Sequence, residues 1–466
     1  MSRTSRLLVA FLCTLIGATA MVHGQPVADT TITGSWMGTL SVPDGEFRVV
    51  FHLRREQDGT LTGTMDSPDQ GATGIRLSEV VRDADTLRIG VRAIAGQFAG
   101  VIQDDRQSID GQWAQGPARL SLTLRRTDAA PAIERPQEPD EPLSYRELTV
   151  DFVARDGTQL AGTITLPQDG GPHPAVLLVA GAGAQDRDAS VAGHRPFRIW
   201  ADALTRAGFA VLRYDERGVG ASGGTPTGHT TAELSVDAEA AMDALAGRPG
   251  VDASQLAIIG HSEGGTIATM VTNRDDRVGA LVLLATPALS GDEILSDQLD
   301  IRADANGVDE RTRAMQRGTQ DRIFEAIRSN PDSSRMASEL RRIMIDTRGI
   351  QGEDLIQQEI QRLTAPWLRS FIRYNPAPAL RSVDEPVLAV YGTKDTQLKP
   401  AKNREALREA LTRSSSPDVT VREMEGLNHL LQPATSGRPG EYGRIKWTVS
   451  PDVLSLVTDW LQNQSK

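Results

Sequence analysis

The residues best suited to covalent chemistry stand together in Gly260-His261-Ser262-Glu263-Gly264. A serine hydroxyl is a weak nucleophile until a turn exposes it and a base takes its proton. Here the apolar run 256-LAIIG-260 enters the serine, and 266-TIATMVTN-273, a helix-like stretch, leaves it. A sharp turn between strand and helix crowds its neighbours, so glycine on both sides of the serine is what such a turn needs. The N–H of Glu263 then opens the helix and can donate to an oxyanion. A second G-x-S-x-G, Gly220-Ala221-Ser222-Gly223-Gly224, lies in a polar loop with no strand entering and no helix leaving. Ser262 is therefore the expected nucleophile. Gly218 to Gly223 also fits the G-x-G-x-x-G of dinucleotide sites. The next helix begins only near the capping box Thr230-x-x-Glu233, so no helix N-terminus meets a pyrophosphate and no cofactor is expected.

A hydroxyl needs a base, and in a fold that presents the serine on such a strand–turn–helix the chain order is serine, then an acid, then a histidine. Of seven histidines only His429 lies beyond Ser262. It sits between an expected strand, 418-DVTVREM-424, and an expected final helix, 450-SPDVLSLVTDWLQ-462. For the acid, Asp395 follows the strand-like 387-VLAVYG-392, whereas Asp384 precedes that strand and Asp418 opens the next. The competing role for Asp395 is to cap the helix expected near Pro400. A second oxyanion donor is expected from the turn 180-AGAGAQDRD-188, at Ala182 between two glycines, with Gly183 the near alternative. Asp186, Arg187 and Asp188, like Asp215 and Arg217, read as loop-fixing ion pairs. Glu263 is either a helix-start carboxylate or a contact for a substrate amine.

These residues need a frame. From Tyr145 onward, apolar strand-length runs at 175–181, 209–215, 256–260, 280–285 and 387–392 alternate with helix-length segments, after a two-stranded opening that turns at Asp156-Gly157. Near-continuous apolar strands separated by helices predict a mostly parallel sheet covered on both faces, an α/β fold. The strand signal stops between 286 and 380, which predicts a helical lid insert. Residues 25–126 are different. There, about eight short runs alternate apolar and polar side chains, as Phe47, Val49, Phe51 and Leu53 do in 46–55, predicting a small β-barrel or sandwich. The Pro-rich stretch 127–143 reads as a linker, which leaves 144–466 for the α/β domain.

Composition bounds the partners. The 466 residues suit roughly two or three domains, and 39% hydrophobic with 24% charged residues suits a globular chain. A net charge of −11 gives no basic footprint for nucleic acid. The one cysteine, Cys13, leaves no disulfide, Cys-based zinc site or thiol nucleophile in the body of the chain. No H-E-x-x-H or similar metal-ligand spacing is present, so no metal is expected. Arg3 and Arg6 followed by the apolar run Leu7–Ala18 and the small residues Ala18-Thr19-Ala20 read as a signal peptide, residues 1–24, cleaved near Ala20 or Gly24. An exported, periplasmic or secreted protein without a membrane span is expected.

With these residues in hand, the chain resembles the α/β-hydrolase superfamily, and within it exported bacterial esterases that carry a small β-domain ahead of the hydrolase. The similarity covers about residues 145–466 and rests on several stretches in order, among them 178-LVAGAGAQDRD-188, 213-RYDERGVGASGG-224, 259-IGHSEGG-265, 391-YGTKD-395 and 428-NHLLQPATSG-437. The resemblance implies a serine hydrolase with Ser262 as nucleophile, Asp395 as acid and His429 as base, splitting small or medium acyl esters through an acyl-enzyme. Serine aminopeptidases and prolyl-oligopeptidase-like enzymes are related, so a peptidase is the alternative. A ligand-binding β-domain with an inert hydrolase half is the non-enzymatic one.

Overall fold

The computed structural model describes residues 32–42, 45–116, 118–128, 134–348 and 352–465. The expected leader, with Cys13, Ala20 and Gly24, lies outside the described residues, as does part of the Pro-rich stretch. The chain divides into two compact units. The first comprises residues up to Arg135 together with Val191–His194 and Arg438–Lys446; the second comprises Pro136–Ser190, Arg195–Gly437 and Trp447–Lys466.

The first unit is built on one antiparallel sheet. Its strands are β1 (Gly34–Val42), β2 (Gly45–Arg55), β3 (Leu61–Ser67), β4 (Ala72–Arg76), β5 (Glu79–Asp83), β6 (Thr86–Val91), β7 (Gly96–Ile102), β8 (Ser108–Gln115) and β9 (Ala118–Thr127). They lie in the order β4-β3-β2-β1-β9-β8-β7-β6-β5, one strand more than the sequence pattern suggests, because the short β4 and β5 carry little apolar alternation. Period-2 alternation sends one set of side chains inward. Val49, Phe51 and Leu53 of β2 join Trp36, Ile89, Phe98, Ile109 and Trp113 in a single core. Phe51 packs against Phe98 and Trp113 with ring centroids 6.2 Å apart in each case.

The second unit holds a mixed eight-stranded sheet. β10 (Arg146–Val153), β11 (Gln159–Leu166), β12 (His173–Val179), β13 (Ala210–Tyr214), β14 (Val251–His261), β15 (Val278–Leu284), β16 (Val387–Gly392) and β17 (Val419–Met424) lie in the order β10-β11-β13-β12-β14-β15-β16-β17. β10 and β11 pair antiparallel with their neighbours, and the rest are parallel. The apolar runs of β12, β13, β15 and β16 are continuous because these inner strands are buried on both faces, whereas the edge strands β10 and β17 are largely exposed or half-buried. Leu177, Leu212, Ile258, Leu281 and Ala389 face one core, and Leu178, Val211, Ile259, Val282 and Val390 face the other. The first core is closed by α2 (Thr231–Ala246), α3 (Glu263–Thr272), α9 (Ala377–Arg381) and α10 (Pro400–Leu411). The second is closed by α1 (Pro196–Arg206) and α11 (Pro451–Gln464).

Between β15 and β16 runs a helical insert: α4 (Gly291–Ala305), α5 (Glu310–Ser329), α6 (Ser333–Arg348), α7 (Glu353–Leu363) and α8 (Pro366–Arg373), followed by α9. Its amphipathic helices bury Ile323, Phe324, Leu340, Ile343, Ile360 and Leu368 among themselves, giving the insert a core of its own. β12 is the strand on either side of which the chain continues in opposite directions, to β13 and to β14. Loops leaving the carboxyl ends of β12 and β14 therefore flank a crevice, the usual place for a ligand in an open α/β sheet.

Candidate active site

β14 ends at His261 and α3 begins at Glu263, so Ser262 alone makes the turn, with φ 55° and ψ −124°. A non-glycine residue with positive φ is strained, and here the surroundings hold it there. The Ser262 N–H donates to Leu284 O at 2.8 Å, and Gly265 N–H donates to Ser262 O at 2.9 Å. The helix opens at Glu263, as the sequence pattern predicts, and Gly264 lets it press against β12: a Cβ there would lie 2.5 Å from Ala180 O and closer still to Val179 O. Gly181 likewise permits contact from the loop after β12, since its Cβ would lie 3.0 Å from Ser262 Cβ. Among the described residues the N–H groups of Glu263 and Ala182 donate to no protein acceptor.

Asp395 and His429 are brought together. His429 Nδ1 donates to Asp395 Oδ2 at 2.7 Å, with both residues buried. The other oxygen, Oδ1, accepts the N–H of Gln397 at 2.7 Å and of Leu398 at 2.9 Å. Asp395 thus fixes its own loop and leaves the N-cap of α10 to Lys399, which makes no side-chain cap. His429 stands on a tight loop beyond β17: Lys394 N–H donates to Leu427 O at 2.8 Å, and Asn428 Oδ1 accepts from Leu430 and Gln432 N–H at 3.0 Å each. No hydrogen bond joins the Ser262 hydroxyl to the His429 ring among the described residues. The link between the two loops is His261, whose Nε2 donates to His429 O at 2.9 Å, with the two rings 5.1 Å apart. Burial, reinforced by His429, lowers the His261 ring to about 4, so it is a neutral donor at neutral pH. The sequence pattern gave His261 no role, because its partner lies 168 residues away.

The loop after β12 is held by successive residues at the end of β13. Arg213 pairs with Asp188 at 2.8 Å, and Asp215 pairs with Arg187 at 2.6 Å and accepts the Arg187 N–H at 2.8 Å. Arg187 and Asp188 are the ion-paired residues expected here, with partners on β13 and just beyond it, whereas Asp186 Oδ1 instead accepts the N–H groups of Asp188 at 3.1 Å and Ser190 at 3.0 Å. Glu216 adds a two-point clamp, its N–H donating to Gln185 O at 3.1 Å and its Oε2 accepting the Gln185 N–H at 3.0 Å. Burial, with the nearby Glu263 and Asp237 carboxylates, pushes Glu216 up to about 8. Glu263 is itself raised by burial, and its Oε1 accepts Thr231 Oγ1 at 2.5 Å and Trp367 Nε1 at 2.8 Å. Arg217 pairs with Asp156 and with buried Asp237. Ser222 is a framework residue: its hydroxyl donates to Asp215 O at 2.7 Å and accepts Ala161 N–H at 2.9 Å. Within the G-x-G-x-x-G stretch, Ala221 N–H donates to Asp215 Oδ2 at 2.9 Å, so a carboxylate already sits where a phosphate would.

Known proteins fit this frame. The model of the alpha/beta hydrolase fold family matches residues 174–433. The chain belongs to that family. Among curated proteins, this hydrolase-fold chain is 26% identical over 306 residues to "Esterase EstD" of Thermotoga maritima, a match covering 65% of each chain. It is 28% identical over 151 residues to the uncharacterized protein YfhR of Escherichia coli, covering 32% of this chain and 50% of YfhR. The matches therefore span just under two thirds of EstD and half of YfhR. Among solved structures, an esterase of Pyrococcus furiosus aligns over 72% of this chain and all of its own, with a TM-score of 0.44 and 16% identity.

Proposed function

We propose that the protein is a serine carboxylesterase acting on small or medium acyl esters. The reading is carried by the 2.7 Å bond from His429 Nδ1 to Asp395, formed at the same edge of the sheet as the strained Ser262 turn. A histidine oriented this way presents Nε2 as a base. His429 takes the hydroxyl proton as Ser262 Oγ attacks the ester carbonyl, and the N–H groups of Glu263 and Ala182 receive the oxyanion. His429 then protonates the leaving alcohol as the C–O bond breaks. Water attacks the acyl-enzyme with His429 again as base, and the acid leaves with Ser262 restored.

The name of the relative EstD agrees with this activity. The peptidase reading asks for a carboxylate to meet an amine, from Glu263 or from the helical insert; Glu263 is engaged by Thr231 and Trp367, and an aminoacyl-anilide assay tests the remainder. Hydrolysis of 4-nitrophenyl acetate and butyrate tests the proposal. Ser262→Ala is expected to lower kcat by at least about 10³-fold; a variant as active as the wild type would overturn it. We read the chain as exported through the leader at residues 1–24, which N-terminal sequencing of the mature protein checks.

A further inference from the structure

A groove of about 500 Å³ lies beside α8, lined by Thr230, Pro366, Arg369, Ser370, Arg373 and Tyr374. Arg369 and Arg373 are one helical turn apart, so they emerge from the same face of α8. Elsewhere in the helical insert arginines stand opposite carboxylates: Arg317 on Asp300, Arg313 on Asp304 and Arg362 on Glu359. Among the described residues Arg369 and Arg373 have no carboxylate partner. The nearby acid Glu233 is held in its capping box by Thr230, whose N–H and hydroxyl lie 2.7 and 2.9 Å away.

The groove also leaves donors unfilled. Arg369 Nη1 reaches Ser333 Oγ at 3.3 Å, while among the described residues its Nε is buried without an acceptor. Among the described residues the Tyr374 hydroxyl is likewise buried without a partner. Arg373 gives Nε to Ile327 O at 3.0 Å and Nη2 to Asn330 O at 2.9 Å, which ties its guanidinium to the end of α5 but does not neutralise it. Two like charges one turn apart repel, and burial together with the Arg369 charge lowers the Arg373 pKa. Arg369 is half-buried and Arg373 exposed; a half-buried cation without a counter-charge is costly, and a guanidinium is best satisfied by an oxyanion.

We propose that this groove is a binding site for an oxyanion, a carboxylate or a phosphate, held by the charges of Arg369 and Arg373 with the hydroxyls of Ser370 and Tyr374 beside them. Its place in the fold gives it a bearing on the Ser262 turn. Trp367 of α8 and Thr231, next to Thr230, both donate to Glu263, the residue after the nucleophile. The anion is either an acidic group on the substrate or a free ion, and the chemistry of recognition is the same. Binding itself does not rest on the esterase reading.

Titration calorimetry of the full protein with sodium phosphate, at low ionic strength, tests the site. Saturable binding is expected for the wild type, about tenfold or more weaker in Arg369→Glu and severalfold weaker in Tyr374→Phe. The Arg369→Glu thermal midpoint without phosphate should not fall, because the introduced carboxylate would gain Arg373 as an i,i+4 partner. Absence of phosphate binding by the wild type, or equal binding by folded Arg369→Glu, would overturn the proposal. A second arm compares 4-nitrophenyl hydrogen adipate with 4-nitrophenyl hexanoate. If the anion belongs to the substrate, Arg369→Glu lowers kcat/KM about tenfold for the adipate alone. If it is a free ion, the ratio stays fixed while phosphate raises the midpoint of the wild type only. Phosphate binding by a protein that hydrolyses neither ester would refute the esterase reading and leave the groove standing.

Discussion

Asp395 holds two arrangements at once. One oxygen organises residues 395–398, and the other orients His429. An amide at this position keeps the turn but can present N–H to Nδ1, which forces the opposite tautomer and removes the base from Nε2. Asp395→Asn is therefore expected to lower kcat by roughly 10³- to 10⁴-fold with circular dichroism unchanged, measured on 4-nitrophenyl butyrate. The three candidate residues were legible because each has a local signature: glycines around Ser262, a strand end before Asp395, and chain order for His429. His261, Glu216 and Trp367 were not. Their partners lie 168, 31 and 104 residues away, and only the folded chain brings those positions together.

The element that decides the site is the β14–α3 junction. Its geometry requires α3 to pack closer to β12 than any side chain at position 264 permits. Gly264→Ala is expected to destabilise the protein by about 3 kcal/mol or more through overpacking against backbone oxygens that cannot move aside. Urea denaturation checks this, and an unchanged midpoint would mean that α3 shifts freely. The strands of the parallel sheet were readable because burial on both faces leaves unbroken apolar runs in 175–181, 280–285 and 387–392. β4 and β5 of the first unit were not, being short, without a buried residue and poor in apolar alternation. The opening of α3 at Glu263 was readable from the glycines around Ser262, although Glu263, Gly264 and Gly265 carry no apolar period of their own.

At the scale of the whole molecule, buried titratable groups shape stability at both ends of the pH range. His261, like His194 in the first unit, is lowered to about 4 by burial. The unfolded chain takes up protons near the ordinary histidine value of about 6.5 that the fold refuses. Stability therefore falls as pH drops from there toward 4. Glu216 has the opposite sign. Its fold value of about 8 lies above the unfolded one, so its contribution is complete below about 4.5 and lost as pH rises through 8. Thermal midpoints should fall as pH drops below about 6.5 and again as it rises from there toward about 8, and Glu216→Gln should flatten this second decline; an identical slope there would contradict the assignment. For the intact protein, the proposed chemistry requires that one hydroxyl, at position 262, be activated. Labelling with a fluorophosphonate probe followed by peptide mapping tests it most directly. A single adduct on Ser262, abolished in His429→Ala, is the predicted result; an adduct on another serine, or none, would contradict it.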